Sequence, residues 1–236
     1  MYFETIVDIE DMAKMSQEDT EAFALNRRKG FGASDSGIIL GVNKWTTLDQ
    51  LIEQKNTPYV TEDEILIGMK PQVRMGSDLE PLILDKAAEM LGVLITKPTA
   101  QYRFKDYPFL TVNYDGIYGD SSNFGIVEAK CVSTYARKYW DFTQEIHDMP
   151  KVYSGSTLKD TILTNAKMCG IPEYYYTQVQ QQLLGTHADF AYLAAMDVKE
   201  WTVHIFKIPE NEYVQQVLIG MAASAAEKCT QIPLSM

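Results

Sequence analysis

The chain has 236 residues, 46% of them hydrophobic and 22% charged, with a net charge of −11; this suits one sizeable globular domain and not a disordered chain. No apolar run approaches the roughly 18 residues of a membrane span, and Met1-Tyr2-Phe3-Glu4-Thr5 lacks the basic-then-apolar order of a signal peptide. Three widely separated cysteines (Cys131, Cys169, Cys229) argue against a zinc ribbon, an iron–sulfur cluster or a disulfide framework, and fit a reducing cytoplasm.

Residues 1–15 read as an acidic lead segment. Over half of the net charge lies in residues 1–26, so the acidity is local and compatible with a basic channel elsewhere. A helix is predicted from Ser16, its N-cap, to Lys29, with Phe23 and Arg27 at i, i+4. Gly30-Phe31-Gly32 ends it. Ser34-Asp35 then caps a short apolar helix, Gly37 to Leu40, closed by Gly41, and Thr47 caps another through Lys55. Residues 56–72 have no periodic pattern and read as a long loop.

Leu79, Leu82, Ile83, Ala87, Met90 and Leu91 form an i, i+3, i+4 stripe that predicts a helix from about Val73 to Leu91, ended by Gly92. Pro81 falls inside it and offers a second possible start. Strands dominate residues 93–132. Helical segments follow near 135–147, 157–168 and 173–186, then strands at 189–197 and 201–208, then an amphipathic helix at 210–229. Strands clustered between helical blocks predict an α/β fold, a central mixed β-sheet flanked by helices.

The chemistry concentrates at Asn113-Tyr114-Asp115-Gly116 and Gly125-Ile126-Val127-Glu128-Ala129-Lys130. Side chains alternate along a strand, so Glu128 and Lys130 project to one side. Asp115 ends the run Phe109-Leu110-Thr111-Val112. If that run pairs with the strand of Glu128 as a hairpin, two carboxylates and an ammonium converge. Such a set can hold a hard divalent cation and suits metal-assisted phosphodiester hydrolysis. Taken alone, the same residues read more readily as a hairpin with solvated charges than as a metal site, because Asp-Gly is a common turn.

The order of features along the chain narrows the choice. Arg27-Arg28-Lys29-Gly30-Phe31-Gly32-Ala33-Ser34-Asp35 comes first, then Gly76-Ser77-Asp78-Leu79-Glu80-Pro81. Asp115-Gly116, Glu128-Ala129-Lys130 and Tyr175-Tyr176-Thr177-Gln178 follow. Over roughly residues 20–200 this series resembles the YqaJ-type viral recombinase family, lambda-exonuclease-like nucleases of the PD-(D/E)XK superfamily. Tyr114 stands where the superfamily pattern has proline.

The resemblance implies a restriction-endonuclease-like core spanning residues 1–236 as one nuclease domain. It implies that Asp115, Glu128 and the carbonyl of Ala129 bind metal, with Glu80 reaching a second ion. Lys130 would position or activate the attacking water, and Gln178 and Tyr175 would lie near the scissile phosphate. Arg27, with Arg28 beside it, and Ser34 would meet a terminal 5′-phosphate. The implied cofactor is Mg²⁺, with Mn²⁺ as substitute and two ions per site. The implied activity is 5′→3′ exonuclease action on linear double-stranded DNA, making single strands for recombination by annealing. A single-strand annealing protein and a ring trimer are the implied partners, and the host or bacterial cytoplasm the implied location. An endonuclease of the same superfamily and a non-catalytic DNA-binding module are the rival readings.

Plainer roles exist for each residue. Arg27 and Arg28 can be a solvated helix end, Ser34 an N-cap, and Glu80 a helix-favouring acid. Gln178, Gln180, Gln181 and Gln182 fit a polar helix face. Trp45, Trp140 and Trp201 fit packing positions. Arg137, Lys138, Lys151, Lys159 and Lys167 can flank a DNA path, interleaved with Asp141, Glu145 and Asp148. His147, His187 and His204 have no metal-ligand spacing.

Overall fold

A computed structural model describes residues 3–8, 17–62, 64, 66, 70–120, 124–143, 150–186 and 188–235. The expected cap at Ser16, the far end of the helix predicted at 135–147, and His147 and His187 lie outside them. Two sheets organise the chain. In the first, β1 (Phe3–Asp8) pairs antiparallel with β2 (Ala100–Phe104), and β2 with the two-residue β3 (Thr111–Val112). The second runs β4 (Gly116–Gly119), β5 (Phe124–Val132), β6 (Phe190–Asp197), β7 (Thr202–Pro209). Its β5–β6 pair is parallel and the other two are antiparallel, so the sheet is mixed.

This arrangement corrects the expected hairpin. The antiparallel partner of the Glu128 strand is β4, not the run ending at Val112, which belongs to the other sheet. Asp115 sits at the step between the sheets. Gly116 lies opposite Val127, which brings Asp115 level with Glu128. Gly116 has a steric reason to lack a side chain. A Cβ there would come within 2.6 Å of Ile95 and 3.0 Å of Leu84.

The helices whose bounds fall within the described residues are α1 (Gln17–Asn26), α2 (Ser36–Ile39), α3 (Leu48–Asn56), α4 (Pro71–Leu91), α5 (Leu158–Met168), α6 (Glu173–Leu183) and α7 (Glu212–Ala226). Thr47 accepts from the Gln50 N–H and caps α3 as expected. Helix α4 begins at Pro71, where a proline costs no hydrogen bond, and ends at Gly92 with φ +65°. It continues through Pro81. That removes the usual donor to the Ser77 carbonyl, but Ser77 is exposed, so water can replace it. Between 135 and 143 the described backbone forms only a 3₁₀ turn, Ala136–Tyr139, in place of the longer helix expected there.

Alternation along β5 places the second sheet between two helical layers. Val127 and Ala129 pack with Ile83, Leu84 and Ala87 of α4. Ile126 and Val132 face the larger core with Tyr176, Val179 and Leu183 of α6. A parallel strand pair covered on both faces is the expected home for such an apolar strand. Glu128 and Lys130 lie on the α6 side of the same strand.

Candidate active site

Glu128 is 2% exposed, and a carboxylate buried this deeply requires donors. Lys130, two residues on and on the same face, forms an ion pair and hydrogen bond with Oε1. Gln178 Nε2 donates to Oε1 as well, and Gln182 Nε2 donates to Oε2 at 2.5 Å. These glutamines are one helical turn apart on α6, so a single helix face holds the carboxylate. Asp115 Oδ2 accepts from the Ala129 N–H at 2.9 Å. The Lys130 ammonium lies 5.2 Å from the centre of the Tyr175 ring. Across the strand, α4 supplies Glu80, paired with Lys97 at 2.7 Å. A cleft of about 280 Å³ opens between α4 and β5, lined by Glu80, Asp115, Ala129, Lys130 and, from the start of α4, Gln72 and Ser77.

Electrostatics in the cleft are unbalanced. Burial, then the neighbouring Glu128 and Glu80 charges, push Asp115 up to about 8, against the pull of Lys130 and the Ala129 N–H. Burial disfavours the charge on Lys130, but Glu128 and Asp115 hold its pKa above the ordinary lysine value. Lys130 is therefore an ammonium at neutral pH, suited to orienting water and balancing charge. A free amine acting as general base would need the opposite shift.

Among the described residues, no three His, Cys, Asp or Glu side chains are already gathered as metal ligands. Glu128 is engaged by its donors and Glu80 by Lys97. The donor set still fits a hard divalent cation. Carboxylate oxygens and a backbone carbonyl are its preferred ligands, and the burial and carboxylate repulsion that raise Asp115 are what a bound cation would offset.

The second group of predicted residues lies on the segment joining α1 to α2. Arg27 and Ser34 are both exposed, and Arg27 Nη2 donates to Ser34 Oγ at 3.2 Å. Ser34 lies inside a 3₁₀ turn, Ala33–Asp35, and is not the cap of the helix beyond. Arg28 does not share the surface. It is 3% exposed, and its guanidinium donates to the carbonyls of Gln54 and Tyr59 (2.8 Å for Tyr59) and to Glu64. These bonds turn it inward and correct its expected place at a phosphate.

The profile of the YqaJ-like viral recombinase domain matches residues 22–189, spanning Arg27, Glu80, Asp115, Glu128, Lys130 and Gln178. The chain belongs to this family. It is 29% identical over 191 residues to the uncharacterized protein YqaJ of Bacillus subtilis, covering 79% of this chain and 49% of that protein. It thus spans about half the length of the curated relative it matches. In fold it is similar to an alkaline exonuclease from Laribacter hongkongensis. The TM-score is 0.56 at 16% identity, covering 88% of this chain and 93% of that one. The same exonuclease in complex with dAMP gives 0.55 at 16% identity, with the same coverage. A phage-related exonuclease from Haemophilus somnus gives 0.50 at 14% identity, covering 86% and 94%. The mixed sheet between helices is the PD-(D/E)XK fold expected from the sequence.

Within the YqaJ-like domain, the glutamine run is not a solvated face. Gln180 and Gln181 are fully buried and Gln182 nearly so. Gln180 bonds to the Pro209 carbonyl and the Asn211 N–H, while Gln181 bonds to the carbonyls of Phe31 and Thr111 and to Ser36 Oγ. Helix α6 therefore ties the Arg27–Ser34 segment, β3 and Glu128 together. Consecutive glutamines without a charged residue among them were the available signal. Lys55 is the other residue missed. It is buried and donates to Asp35 Oδ2 at 2.8 Å and to the carbonyls of Gly30 and Arg27 at 2.8 and 3.0 Å. Trp140 is buried as expected, whereas Trp45 and Trp201 are 68% and 61% exposed, against the packing roles read for them. Arg137, one of the basic residues expected along a DNA path, is paired with Asp197 at 2.7 Å.

Glu64, the partner of Arg28, gives the domain an acid-sensitive contact. Burial opposes its charge, but the Thr61 N–H and hydroxyl, Gln54 and the Arg28 cation bring it down to about 2 from an ordinary 4.5. A depressed carboxylate stabilises the fold above its unfolded pKa and loses that contribution as pH falls through the folded one. The stability difference between wild type and Glu64→Gln should therefore be full above pH 4.5 and shrink toward pH 2. Urea unfolding of both proteins across that range measures it; a pH-independent difference would refute the assignment.

Proposed function

We propose that the domain is a metal-dependent exonuclease that degrades linear double-stranded DNA from 5′-phosphorylated ends. The observation that carries this reading is the shared cleft of Glu80, Asp115 and Lys130, with Glu128 fixed behind it by Gln178 and Gln182. Asp115, Glu128, Glu80 and the Ala129 carbonyl would hold Mg²⁺, or Mn²⁺ in its place. Bound there, one or two such ions supply a water nucleophile at neutral pH and charge stabilisation of the phosphoryl oxygens. Lys130, an ammonium, orients that water and offsets charge on the phosphate. Tyr175 keeps its proton, because burial pushes its pKa up, so its hydroxyl is a donor beside Lys130. Arg27 offers a planar fork of donors to a terminal phosphate, and Ser34 adds a hydroxyl.

The exonuclease names of the structural relatives and the dAMP complex of one of them support this substrate class. A 5′→3′ polarity, production of single strands for recombination, a single-strand annealing partner and a ring-shaped homotrimer belong to the same reading and rest on family membership.

Labelled linear duplexes with 5′-phosphate or 5′-hydroxyl ends, and a covalently closed circle, test it together. The phosphorylated duplex should be degraded fastest, the circle left intact, and a chelator should stop the reaction. Arg27→Ala should narrow the preference for 5′-phosphate by about 10- to 100-fold, the range for a lost hydrogen bond to a charged group. Cutting of the circle would make the domain an endonuclease; cation-independent digestion would remove the metal from the reaction.

A further inference from the structure

Three large aromatic side chains stand in solvent near the cleft: Trp45 at 68%, Tyr135 at 74% and Tyr139 at 47% exposure. Scattered exposed rings need no explanation. These are joined to one another and to the site. Trp45 and Tyr174 pack edge to face at 5.1 Å between ring centres, Tyr174 meets Tyr175 at 4.4 Å, and the Tyr175 ring centre lies 5.2 Å from the Lys130 ammonium. On the other flank, Lys138 lies 4.1 Å from the centre of the Tyr135 ring and 5.1 Å from that of Tyr139. Lys44, beside Trp45 in sequence, lies 5.6 Å from the Tyr139 ring and pairs with Glu173 at 2.7 Å.

Both supports are built. Asn43 Oδ1 accepts from the backbone N–H groups of Trp45 and Thr46 at 2.8 and 2.9 Å, which fixes the turn that presents the indole. Tyr139 ends the 3₁₀ turn Ala136–Tyr139 and Tyr135 precedes it, shortly after β5, the strand that carries Glu128 and Lys130.

We infer that Trp45, Tyr135 and Tyr139, with Lys138 and Lys44, form a stacking platform for the bases of unpaired DNA next to the cleft. The inference rests on the nuclease function proposed for that cleft and names the part of the substrate that this surface takes. Ring faces in water with interleaved ammonium groups match the two chemistries of a single strand, base faces and phosphates. A paired base has its faces covered, so the platform distinguishes a separated strand from a duplex. The chain is acidic overall, with net charge −11, so long-range attraction is weak and stacking must supply much of the affinity.

Fluorescence anisotropy of a labelled oligo(dT), with chelator present so that no hydrolysis occurs, measures the platform apart from the reaction. Trp45→Ala and the Tyr135→Ala/Tyr139→Ala pair should each weaken binding by about 5-fold or more, the lower end of base–aromatic stacking. Trp45→Phe and the corresponding Phe pair should stay near wild type. Lys138→Ala should reduce the slope of log affinity against log salt by about 0.7, the single-strand value for one phosphate contact, whereas Trp45→Ala should leave that slope unchanged. Alanine variants within two-fold of wild type, or a wild type that binds no oligo(dT), would overturn the platform. Digestion of linear duplex by the wild type is run in parallel with divalent cation. Its failure would overturn the nuclease function and leave the binding result to stand separately.

Discussion

Replacing Asp115 by asparagine should abolish DNA hydrolysis while making the cation-free protein more resistant to heat. Both effects have one cause. Asp115 is held at the step between the two sheets by the Ala129 N–H, and burial, added to by the Glu128 and Glu80 charges, raises its pKa to about 8. Asparagine keeps an acceptor for Ala129 and nearly the same volume, so the local backbone has no reason to move. It removes a carboxylate that the fold disfavours in its ionised form. Such a group costs the folded state on the order of 1–4 kcal/mol at neutral pH, and relief of that size corresponds to a rise of several degrees in Tm for a chain of this length. Under the proposed reaction the same change removes an anionic ligand, and activity should fall by at least about 100-fold, as when a charge-stabilising group is lost elsewhere. Cation-dependent digestion of a linear duplex and thermal unfolding in chelator are the two measurements. A variant within ten-fold of wild-type activity would remove Asp115 from the site. A lower Tm would show that its carboxylate supports the fold.

The second large effect is expected at a residue far from the carboxylates. Lys55→Met should destabilise the domain by about 3–5 kcal/mol, the range for leaving one partner of a buried ion pair alone. Lys55 and Asp35 have side chains only 6% and 11% exposed, and the ammonium also serves the carbonyls of Arg27 and Gly30. Methionine fills similar space but donates nothing, so the Asp35 carboxylate and two carbonyls lose a donor together. Those groups shape the segment that presents Arg27 and Ser34, so the variant should also discriminate less between 5′-phosphate and 5′-hydroxyl ends. Adding Asp35→Asn should recover part of the stability, since the uncompensated charge is gone, but not the end preference. Urea unfolding of the single and double variants, with digestion of both kinds of end, separates the two roles. A loss below about 1 kcal/mol, the size typical of an exposed pair, would mean that water reaches the ammonium.

Much of the architecture was legible from pattern. The α4 stripe, the cap at Thr47 and the strands β6 and β7 fall close to their predicted places, because each is a local property of the chain. Where local rules failed, distant residues had decided. Pro81 reads as a start, but Leu79 before it and Ile83, Leu84 and Ala87 after it pack toward the sheet, so α4 stays helical on both sides of it. Trp201 reads as core, but it lies in the tight β6–β7 turn with φ +56°, where its ring is left in solvent. The glutamines read as a wet face, because buried amides are uncommon. Only the positions of Phe31, Thr111, Glu128 and Pro209 reveal that each has a partner.

The sequence by itself determined which residues are candidates for chemistry, and that Glu128 and Lys130 share a side of one strand, since strand alternation is set by backbone geometry. It also carried the family, through the order of short motifs. The tertiary structure decided the rest. It paired Gly116 with Val127 and so brought Asp115 level with Glu128, placed Glu80 on the same cleft, and sent Arg28 inward while Arg27 stayed at the surface. Those outcomes depend on sheet register, helix packing and the need of each buried polar group for a partner. No single segment of the chain contains that information.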